Sequence, residues 1–260
     1  MSTSPPVDRP APGLRSILFA GSFYLATALF LVVGSPLLIG PRRWAMAGLD
    51  AHARVCVWLL RVVAGIRMEV RGHEKLPRGA ALIVSKHQSA WDTFALIPLF
   101  HDPAIVLKAE LRHIPLYGWF CMKFEHIMVK RDRAAVALKA MIADAADRAA
   151  QGRQILIFPE GTRRSPGAPP DYKPGYVALY EGLGLPCYPV ALNSGVFWPR
   201  QSLVRGPGTI VVEILDPLPP GLPRAEFRRR LEAAIENASN GLLSIDAPRG
   251  TSSGPVSAAP

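Results

Sequence analysis

The feature that most constrains this chain is a long apolar stretch near its amino terminus. No charged residue occurs between Arg15 and Pro41, and the run from Ile17 to Ile39 is apolar almost throughout. That length is about what a helix needs to cross the hydrocarbon core of a bilayer, roughly 20 residues. We therefore expect this stretch to attach the protein to a membrane.

Three arrangements of the apolar stretch are compatible with its residues: a spanning helix, a helical hairpin that enters one leaflet, and a cleaved signal peptide. The signal peptide is disfavoured because the apolar region is too long, and because Arg42 and Arg43 precede the small-residue site Ala45-Met-Ala47. Gly34-Ser-Pro36 interrupts the run, and both of its flanks are basic, so the charge bias that orients a span is weak. Spanning and hairpin forms stay open.

The chain divides into four parts by composition. Residues 1–13 and 247–260 are rich in Pro, Ser, Gly and Ala and are expected to be disordered tails. Residues 14–66 form the expected membrane anchor, because Trp44 to Ile66 adds the apolar spacing of an amphipathic helix to the apolar run. Residues 67–246 form the expected folded domain.

Within that domain, short β-rich runs alternate with helical stretches. The predicted strands are Arg67–Arg71, Ala81–Ser85, Ala104–Lys108, His126–Lys130, Gln154–Phe158, Cys187–Leu192 and Thr209–Leu215. The predicted helices are Ser89–Phe100, Arg112–Met122, Arg133–Gln151, Gly175–Gly182 and Arg224–Leu243. This alternation predicts an α/β fold with a mainly parallel mixed sheet flanked by helices.

Composition also limits the partners. The chain has 30 Lys and Arg against 20 Asp and Glu, and its net charge of +10 favours an anionic partner such as a phospholipid surface. Nucleic acid is not expected, because no base-reading motif occurs and such a partner would leave the apolar stretch unexplained. Cys56, Cys121 and Cys187 are widely separated and lack metal-ligand spacing, so we expect buried thiols and no metal.

A histidine and an aspartate follow the predicted strand Ala81–Ser85, in the segment Lys86 to Thr93. Ligands of open α/β sheets bind at the carboxyl ends of strands. On the first helical turn, Asp92 can reach His87, fix the imidazole tautomer and stabilise the imidazolium formed on proton abstraction. Such a pair without a nucleophilic residue suits the activation of a substrate hydroxyl. Ser89-Ala-Trp-Asp92 also fits a capping box, and the two roles can coexist.

Two further segments carry polar residues. Gly161, Thr162 and Arg163 follow the predicted strand Gln154–Phe158, where backbone N–H groups and a guanidinium would form a cradle for a phosphate. An ordinary Pro/Gly turn stays open as the alternative. The segment Val129 to Arg133, which contains Arg131, is by itself compatible with a solvated charge run.

In combination these segments resemble the four sequence blocks of the glycerolipid acyltransferase family, most closely its bacterial 1-acylglycerol-3-phosphate acyltransferases. The matching residues are His87-x4-Asp92, Arg131, Phe158-Pro-Glu-Gly-Thr-Arg163 and Tyr188-Pro-Val-Ala191, within roughly residues 67–215. Further matches are Lys108-Ala-Glu-Leu111, Pro115-Leu-Tyr-Gly-Trp119 and Tyr172-Lys-Pro-Gly175.

The resemblance implies the roles of individual residues. His87 would take the proton from the sn-2 hydroxyl of lysophosphatidate as that oxygen attacks an acyl thioester, giving phosphatidic acid, with Asp92 holding His87. The residues expected to bind the glycerol-phosphate part are Arg131, Glu160, Gly161 and Thr162, with Arg163, Lys108 and Lys173 as further contacts. Pro189 would shape the acyl-donor pocket.

The resemblance also implies the setting. The acyl donor is acyl-CoA or acyl carrier protein, membrane phospholipids are partners, and neither cofactor nor metal is required. The location implied is the inner (plasma) membrane, with the catalytic domain on the cytoplasmic side.

Departures from the family pattern keep alternatives open. Lys86 stands where relatives often have Asn, and Glu125-His126-Ile127 departs from the usual second block, in which His126 is a rival base. The acceptor could be another lysolipid, such as a lyso-ornithine lipid, or the chain could be an inactive module that binds anionic lipid. An α/β hydrolase is disfavoured because the chain has no G-x-S-x-G segment.

Overall fold

A mixed sheet lies at the centre of the protein. The computed structural model describes residues 13–130 and 134–245, so nearly all of both predicted tails lies outside it. The strands are β1 Ile66–Arg71, β2 Ala81–Ser85, β3 Ala104–Lys108, β4 Ile127–Val129, β5 Gln154–Ile157, β6 Cys187–Leu192 and β7 Gly208–Ile214. Their order in the sheet is β1-β7-β6-β2-β5-β3-β4. Strands β2 to β6 run parallel, β7 is antiparallel to β6, and β1 is parallel to β7.

Helices cover both faces of this sheet, which confirms the predicted fold class. They are α1 Leu14–Val33, α2 Arg42–Leu59, α3 Asp92–Ala95, α4 Tyr117–Lys123, α5 Ala134–Ala150, α6 Gly175–Leu183, α7 Ser194–Phe197 and α8 Arg224–Ile245. Short 3₁₀ turns occur at Ser35–Leu38, His73–Lys75, Ile97–Leu99 and Ala109–His113, and a π-helical turn at Leu60–Ala64 extends α2.

Two hydrophobic cores lie on opposite faces of the sheet. Successive strand side chains point to opposite faces, so Ile83 joins the core beneath α1, α2, α3 and α7, whereas Leu82 joins the core beneath α5, α6 and α8. Every residue of β2 is buried. A strand covered on both faces reads as an unbroken apolar run, which is why its bounds could be predicted from the sequence.

The predicted anchor is a helical hairpin that docks on the first of these cores. On α1, the rings of Phe19 and Phe23 pack edge-on against Trp198, and their centroids lie 5.2 and 5.4 Å from the Trp198 centroid. The Phe30 ring packs on Phe120 of α4, with the two centroids 5.2 Å apart. The opposite face of α1 exposes large apolar side chains: Ile17, Leu18, Tyr24, Leu25, Leu29 and Val32. The apolar stretch therefore holds α1 to the domain by one face and leaves the other face free.

An ionic cluster fastens α2 to the sheet edge at which β3, β4 and β5 begin. Arg42 donates two hydrogen bonds to the Asp102 carboxylate at 2.7 and 2.6 Å. Buried Arg153 lies 3.4 Å from the same carboxylate and 3.3 Å from Glu125. Burial alone would raise the pKa of Asp102, but the Arg42 hydrogen bond and the Arg153 charge outweigh it and lower that pKa.

Two predicted helices were too long, each because of a proline. The helix predicted at Ser89–Phe100 is only α3 followed by a 3₁₀ turn, because Pro98 has no N–H with which to continue the α-helical hydrogen bonds. The helix predicted at Arg112–Met122 is a 3₁₀ turn and then α4, separated by Pro115.

Substitution of Gly118 by alanine should destabilise the fold. A Cβ on Gly118 would lie 2.2 Å from the Arg112 carbonyl oxygen, a backbone atom that cannot move aside cheaply. We expect Gly118→Ala to lower the free energy of unfolding by about 2 kcal/mol or more, measured by thermal denaturation. Gly79→Ala is the matched control, because among the described residues no heavy atom lies within 4 Å of its Cβ position. Equal melting temperatures of the two variants would contradict this close approach.

Candidate active site

The predicted histidine and aspartate meet at the carboxyl end of β2. The Nδ1 atom of His87 lies 2.9 Å from Oδ2 of Asp92. The Asp92 side chain is wholly buried, whereas 12% of the His87 side chain is exposed. The aspartate thus lies behind the ring, and the ring faces a cavity.

Asp92 collects hydrogen bonds from several directions. Its Oδ2 also accepts the N–H groups of Gln88 and Ser89 at 2.7 and 2.9 Å, and its Oδ1 accepts the Ser194 hydroxyl at 2.5 Å. A carboxylate only accepts, so His87 must carry its proton on Nδ1 and present a bare Nε2. Asp92 therefore both orients the ring and caps the turn. The Ser89 hydroxyl accepts from the Trp91 N–H, so the other half of the predicted capping box does not form.

The segment Phe158 to Arg164 encloses His87. The His87 N–H donates to Glu160 Oε2 at 2.8 Å, and the Arg164 N–H donates to the His87 carbonyl at 2.8 Å. The Phe158 ring stacks on the imidazole with centroids 4.3 Å apart. Backbone and ring of the histidine are thus both fixed by this segment.

The position of Glu160 differs from the prediction that it binds the glycerol-phosphate part of a substrate. Its carboxylate is buried, contacts the His87 N–H, and lies 2.8 Å from the Lys86 ammonium. Burial raises the pKa of Glu160, and the Lys86 charge acts against that rise. Glu160 is not among the residues that line the cavity, because its carboxylate is turned inward behind the histidine.

The cavity in front of His87 has a volume of about 700 Å³. It lies between α5 and the carboxyl ends of β3, β4 and β5. Its apolar lining comes mainly from Val106, Leu107, Leu111, Val129, Leu138, Met141, Ile157, Phe158 and Tyr176. Its basic lining comes from Lys108, Lys130, Arg163 and Lys173. One cavity therefore combines an apolar wall, several cations and the bare nitrogen of a histidine.

The basic residues of the cavity differ in whether a carboxylate already forms an ion pair with them. Among the described residues, Lys108, Lys130 and Arg163 have no carboxylate within ion-pair distance, whereas Lys173 contacts Asp171 at 2.6 Å. That hydrogen bond lowers the pKa of the exposed Asp171. The first three cations are therefore available to an anionic ligand.

Only some of the remaining residues that were predicted for the site line the cavity. Gly161, in left-handed backbone with φ of 62°, lines the cavity beside Arg163, whereas Thr162 is not among the lining residues. Arg131 lies outside the described residues. Pro189 is buried in β6 opposite Val84 and does not line the cavity, so it does not shape the pocket directly.

His126, the rival base, lies near the other edge of the sheet. Its Nδ1 accepts the Ile105 N–H at 3.3 Å. Burial lowers its pKa to about 3, so the ring stays neutral and supports the backbone of β3. The three cysteines are buried free thiols, as predicted. In the described part of the chain, no group of three His, Cys, Asp or Glu side chains could hold a metal ion.

Sequence reasoning missed several residues of this site. Ser194 and Gln88 form a second layer around Asp92, with the Gln88 amide oxygen accepting the Gly195 N–H at 3.0 Å. Ser194 follows β6, the neighbour of β2, so its position at a strand end was a signal that could have been used. The signal for Lys86 was weaker, because an exposed lysine beside a motif is the ordinary expectation.

Comparison with known proteins gives one family. A model of the family described as Acyltransferase matches residues 67–193. A 1-acyl-sn-glycerol-3-phosphate acyltransferase from Pseudomonas aeruginosa is 38% identical over 206 residues, covering 77% of this chain and 79% of the relative. A lyso-ornithine lipid O-acyltransferase from the same species is 28% identical over 199 residues, covering 70% and 76%.

A solved structure has the same fold. It is the crystal structure of the 1-acyl-sn-glycerophosphate (LPA) acyltransferase PlsC from Thermotoga maritima, which superposes with a TM-score of 0.75 at 21% sequence identity. The match covers 92% of this chain and 99% of that one, so it includes the helical hairpin as well as the sheet.

The geometry predicts the tautomer of His87. In ¹⁵N-histidine-labelled protein, a long-range ¹H–¹⁵N spectrum should show His87 protonated at Nδ1 and bare at Nε2. Asp92→Ala should give a mixture of tautomers, because the acceptor for Nδ1–H is lost. Ser194→Ala, which removes only the hydrogen bond to Oδ1, should keep the Nδ1–H form. A proton on Nε2 in the unmodified protein would contradict the arrangement.

Proposed function

Since this chain belongs to the acyltransferase family, we propose that it transfers a fatty acyl group from a thioester to the sn-2 hydroxyl of 1-acyl-sn-glycerol 3-phosphate. The product is phosphatidic acid, a precursor of membrane phospholipids. The observation that carries the proposal is the bare Nε2 of His87, which faces a cavity having both an apolar wall and cations that no described carboxylate pairs. The relative named for this reaction, 38% identical over most of its length, supports the same acceptor.

The proposed chemistry needs one base and no cofactor. The Nε2 atom of His87 takes the proton from the sn-2 hydroxyl as the oxygen attacks the thioester carbonyl carbon. Collapse of the tetrahedral intermediate forms the ester and breaks the carbon–sulfur bond, and the imidazolium returns the proton to the leaving thiolate. Asp92 stays ionised throughout and stabilises the imidazolium. The donor is acyl-CoA or acyl carrier protein, both of which offer such a thioester.

The acceptor phosphate would bind at the basic part of the cavity. Lys108 and Arg163 are cations without an ion pair among the described residues, and Lys130 adds a third beside them. Gly161 and Lys173 lie close enough to contribute, and Thr162 and Arg131 are further candidates. Acyl chains are suited to the apolar part, and the volume of the whole cavity falls in the range of known ligand pockets.

The proposal is tested by acyl transfer with purified protein in detergent. Release of free thiol from acyl-CoA or acyl carrier protein should depend on added lysophosphatidate, and His87→Ala should lower kcat about 10²–10⁴-fold. Exposed His73, outside the cavity, gives the matched control His73→Ala, which should keep full activity. A rate for the unmodified protein no higher than that of His87→Ala, with either donor, would refute the proposal.

The same assay separates the second candidate acceptor. The lyso-ornithine lipid O-acyltransferase relative supports this alternative. The cations of the cavity favour lysophosphatidate, because a zwitterionic head group would neutralise them less well. Turnover with a lyso-ornithine lipid and not with lysophosphatidate would show that the lyso-ornithine lipid is the acceptor. Lipid binding without turnover of either would leave an inactive binding module.

We propose further that the protein attaches to one leaflet of the cytoplasmic face of the inner membrane. The helix α1 is long and apolar enough to cross a membrane. However, both of its ends pack on the catalytic domain, through Phe19 and Phe30, which favours a helix lying against the bilayer. The buried free thiols suit a reducing compartment.

The helix α4 would extend the membrane contact towards the cavity. It packs against α1 and the 3₁₀ turn at Ser35–Leu38 through Phe120, and its outer face exposes Trp119 and Met122, with Ile114 just before it. Each of these three side chains is about half exposed, as are Trp44 and Trp58 on α2. Tryptophan is typical of the membrane interface. Leu111, which lines the cavity, precedes this patch by a few residues, so a lysolipid could enter from the leaflet.

Cysteine labelling should place both ends of α1 on the same side of the membrane. Leu14→Cys and Ile39→Cys introduce thiols at exposed positions at the two ends of the apolar stretch. In inverted inner-membrane vesicles, both should react with a membrane-impermeant maleimide from the cytoplasmic side. Exposed Val136 on α5 provides the control Val136→Cys, which reports the side of the catalytic domain. Labelling of Leu14→Cys and Ile39→Cys from opposite sides would support a spanning helix.

A further inference from the structure

A buried ionic cluster lies directly behind the turn that carries His87. Lys86 directly follows β2, and only 3% of its side chain is exposed. Its ammonium lies 2.8 Å from Glu160 Oε1 and 2.6 Å from Glu236 Oε1 on α8. The Tyr172 hydroxyl donates to the same oxygen of Glu236 at 2.7 Å. A buried lysine is stable only when paired in this way.

The cluster connects to the histidine through Glu160. One oxygen of Glu160 contacts Lys86 and the other accepts the His87 N–H at 2.8 Å. Lys86 is also fixed through its backbone, where its N–H donates to the Val190 carbonyl at 3.0 Å. An unbroken series of polar contacts therefore runs from α8 to the backbone of the residue that carries the catalytic imidazole. Glu236 lies beyond residues 67–193, the range that the family model matches.

We propose that Lys86 and Glu236 are positioning residues for acyl transfer. Lys86 keeps Glu160 ionised and directed at the His87 N–H, and Glu236 holds the Lys86 ammonium in place. Neither side chain lines the cavity, so both act through Glu160 on the orientation of His87. This inference depends on the proposed function only for its kinetic readout.

The charges of the cluster predict that the effect of substituting Glu236 depends on whether Lys86 is present. Without the Lys86 ammonium, two carboxylates that shared one cation would repel each other in a buried site, and Glu160 would leave the His87 N–H or take up a proton. Neutralising Glu236 in the same chain removes that repulsion. Glu236→Gln should therefore be mildly harmful when Lys86 is present and beneficial when Lys86 is replaced.

The kinetic test compares Lys86→Met, Glu236→Gln and the double variant. We expect Lys86→Met to lower kcat about 10–100-fold, with KM for lysophosphatidate within a factor of two, since misplacement of a catalytic group by about 1 Å has this effect. Glu236→Gln alone should lower kcat less than about 3-fold, and in the double variant it should restore kcat at least about 3-fold above Lys86→Met. Rates are expressed per folded protein, from the amplitude of the melting transition.

Glu232 offers a matched control on the same helix. It lies one turn before Glu236 and likewise accepts a tyrosine hydroxyl, that of Tyr176, at 2.7 Å. No ion pair joins it to Lys86. Glu232→Gln should leave kcat unchanged alone and should not improve Lys86→Met. Equal effects of Glu232→Gln and Glu236→Gln in the Lys86→Met background would overturn the proposal.

A spectroscopic measurement tests positioning without any activity. The His87 N–H donates to a carboxylate, so its amide proton should resonate downfield in ¹⁵N-histidine-labelled protein, with the signal assigned by its loss in His87→Ala. It should move upfield in Lys86→Met and return in part in the double variant. An unmoved signal would refute the role of Lys86 even if acyl transfer is confirmed. If Lys86→Met does not fold, Lys86→Gln, which keeps a hydrogen-bond donor, takes its place under the same criteria.

Discussion

The whole site depends on one buried carboxylate. An ionised carboxyl group in a protein interior is costly unless its oxygens are hydrogen-bonded. Asp92 meets this condition with two backbone N–H groups, the Ser194 hydroxyl and the His87 ring. Its donors come from the turn after β2 and from the residues after β6, so the carboxylate is fully hydrogen-bonded only where the sheet brings these two segments together. The arrangement is thus complete before any substrate binds, and little reorganisation is required when the imidazole becomes charged.

The position of this site follows from the sheet, and it suits the proposed membrane attachment. Parallel strands bring their carboxyl ends to one edge, which places His87, the Phe158–Arg164 segment and the basic residues together. On the face opposite α5, the helices α1, α2 and α4 expose apolar side chains. A lysolipid that stays in the leaflet avoids the transfer of its acyl chain into water, about 0.8 kcal/mol for each CH₂. An enzyme of this kind would therefore gain from a cavity that opens next to the proposed membrane contact.

Sequence reasoning succeeded where local pattern decides structure. The bounds of β2, β3 and β6 were predicted to the residue, because each is a mostly apolar run that turn residues bound on both sides. The pairing of His87 with Asp92 also followed, since the two are five residues apart. It failed where partners are distant: Ser194 lies 102 residues from Asp92, and Glu236 lies 150 from Lys86. No local pattern indicates such contacts. The lengths of two helices were also overestimated, because the prediction followed their apolar spacing and did not take account of Pro98 and Pro115.

The glutamate of the third block illustrates why the distant contacts matter. A carboxylate beside a phosphate would repel it, which makes Glu160 a poor phosphate ligand on electrostatic grounds. The buried contact with the His87 N–H removes this difficulty, because the negative charge lies behind the histidine and is balanced by Lys86. The charges of the site are thereby separated: in front of the imidazole lie cations that no described carboxylate pairs, and behind it lie carboxylates paired with Lys86. The imidazole must be neutral to accept a proton and stabilised once it has done so. Asp92, fixed by four hydrogen bonds, supplies that stabilisation.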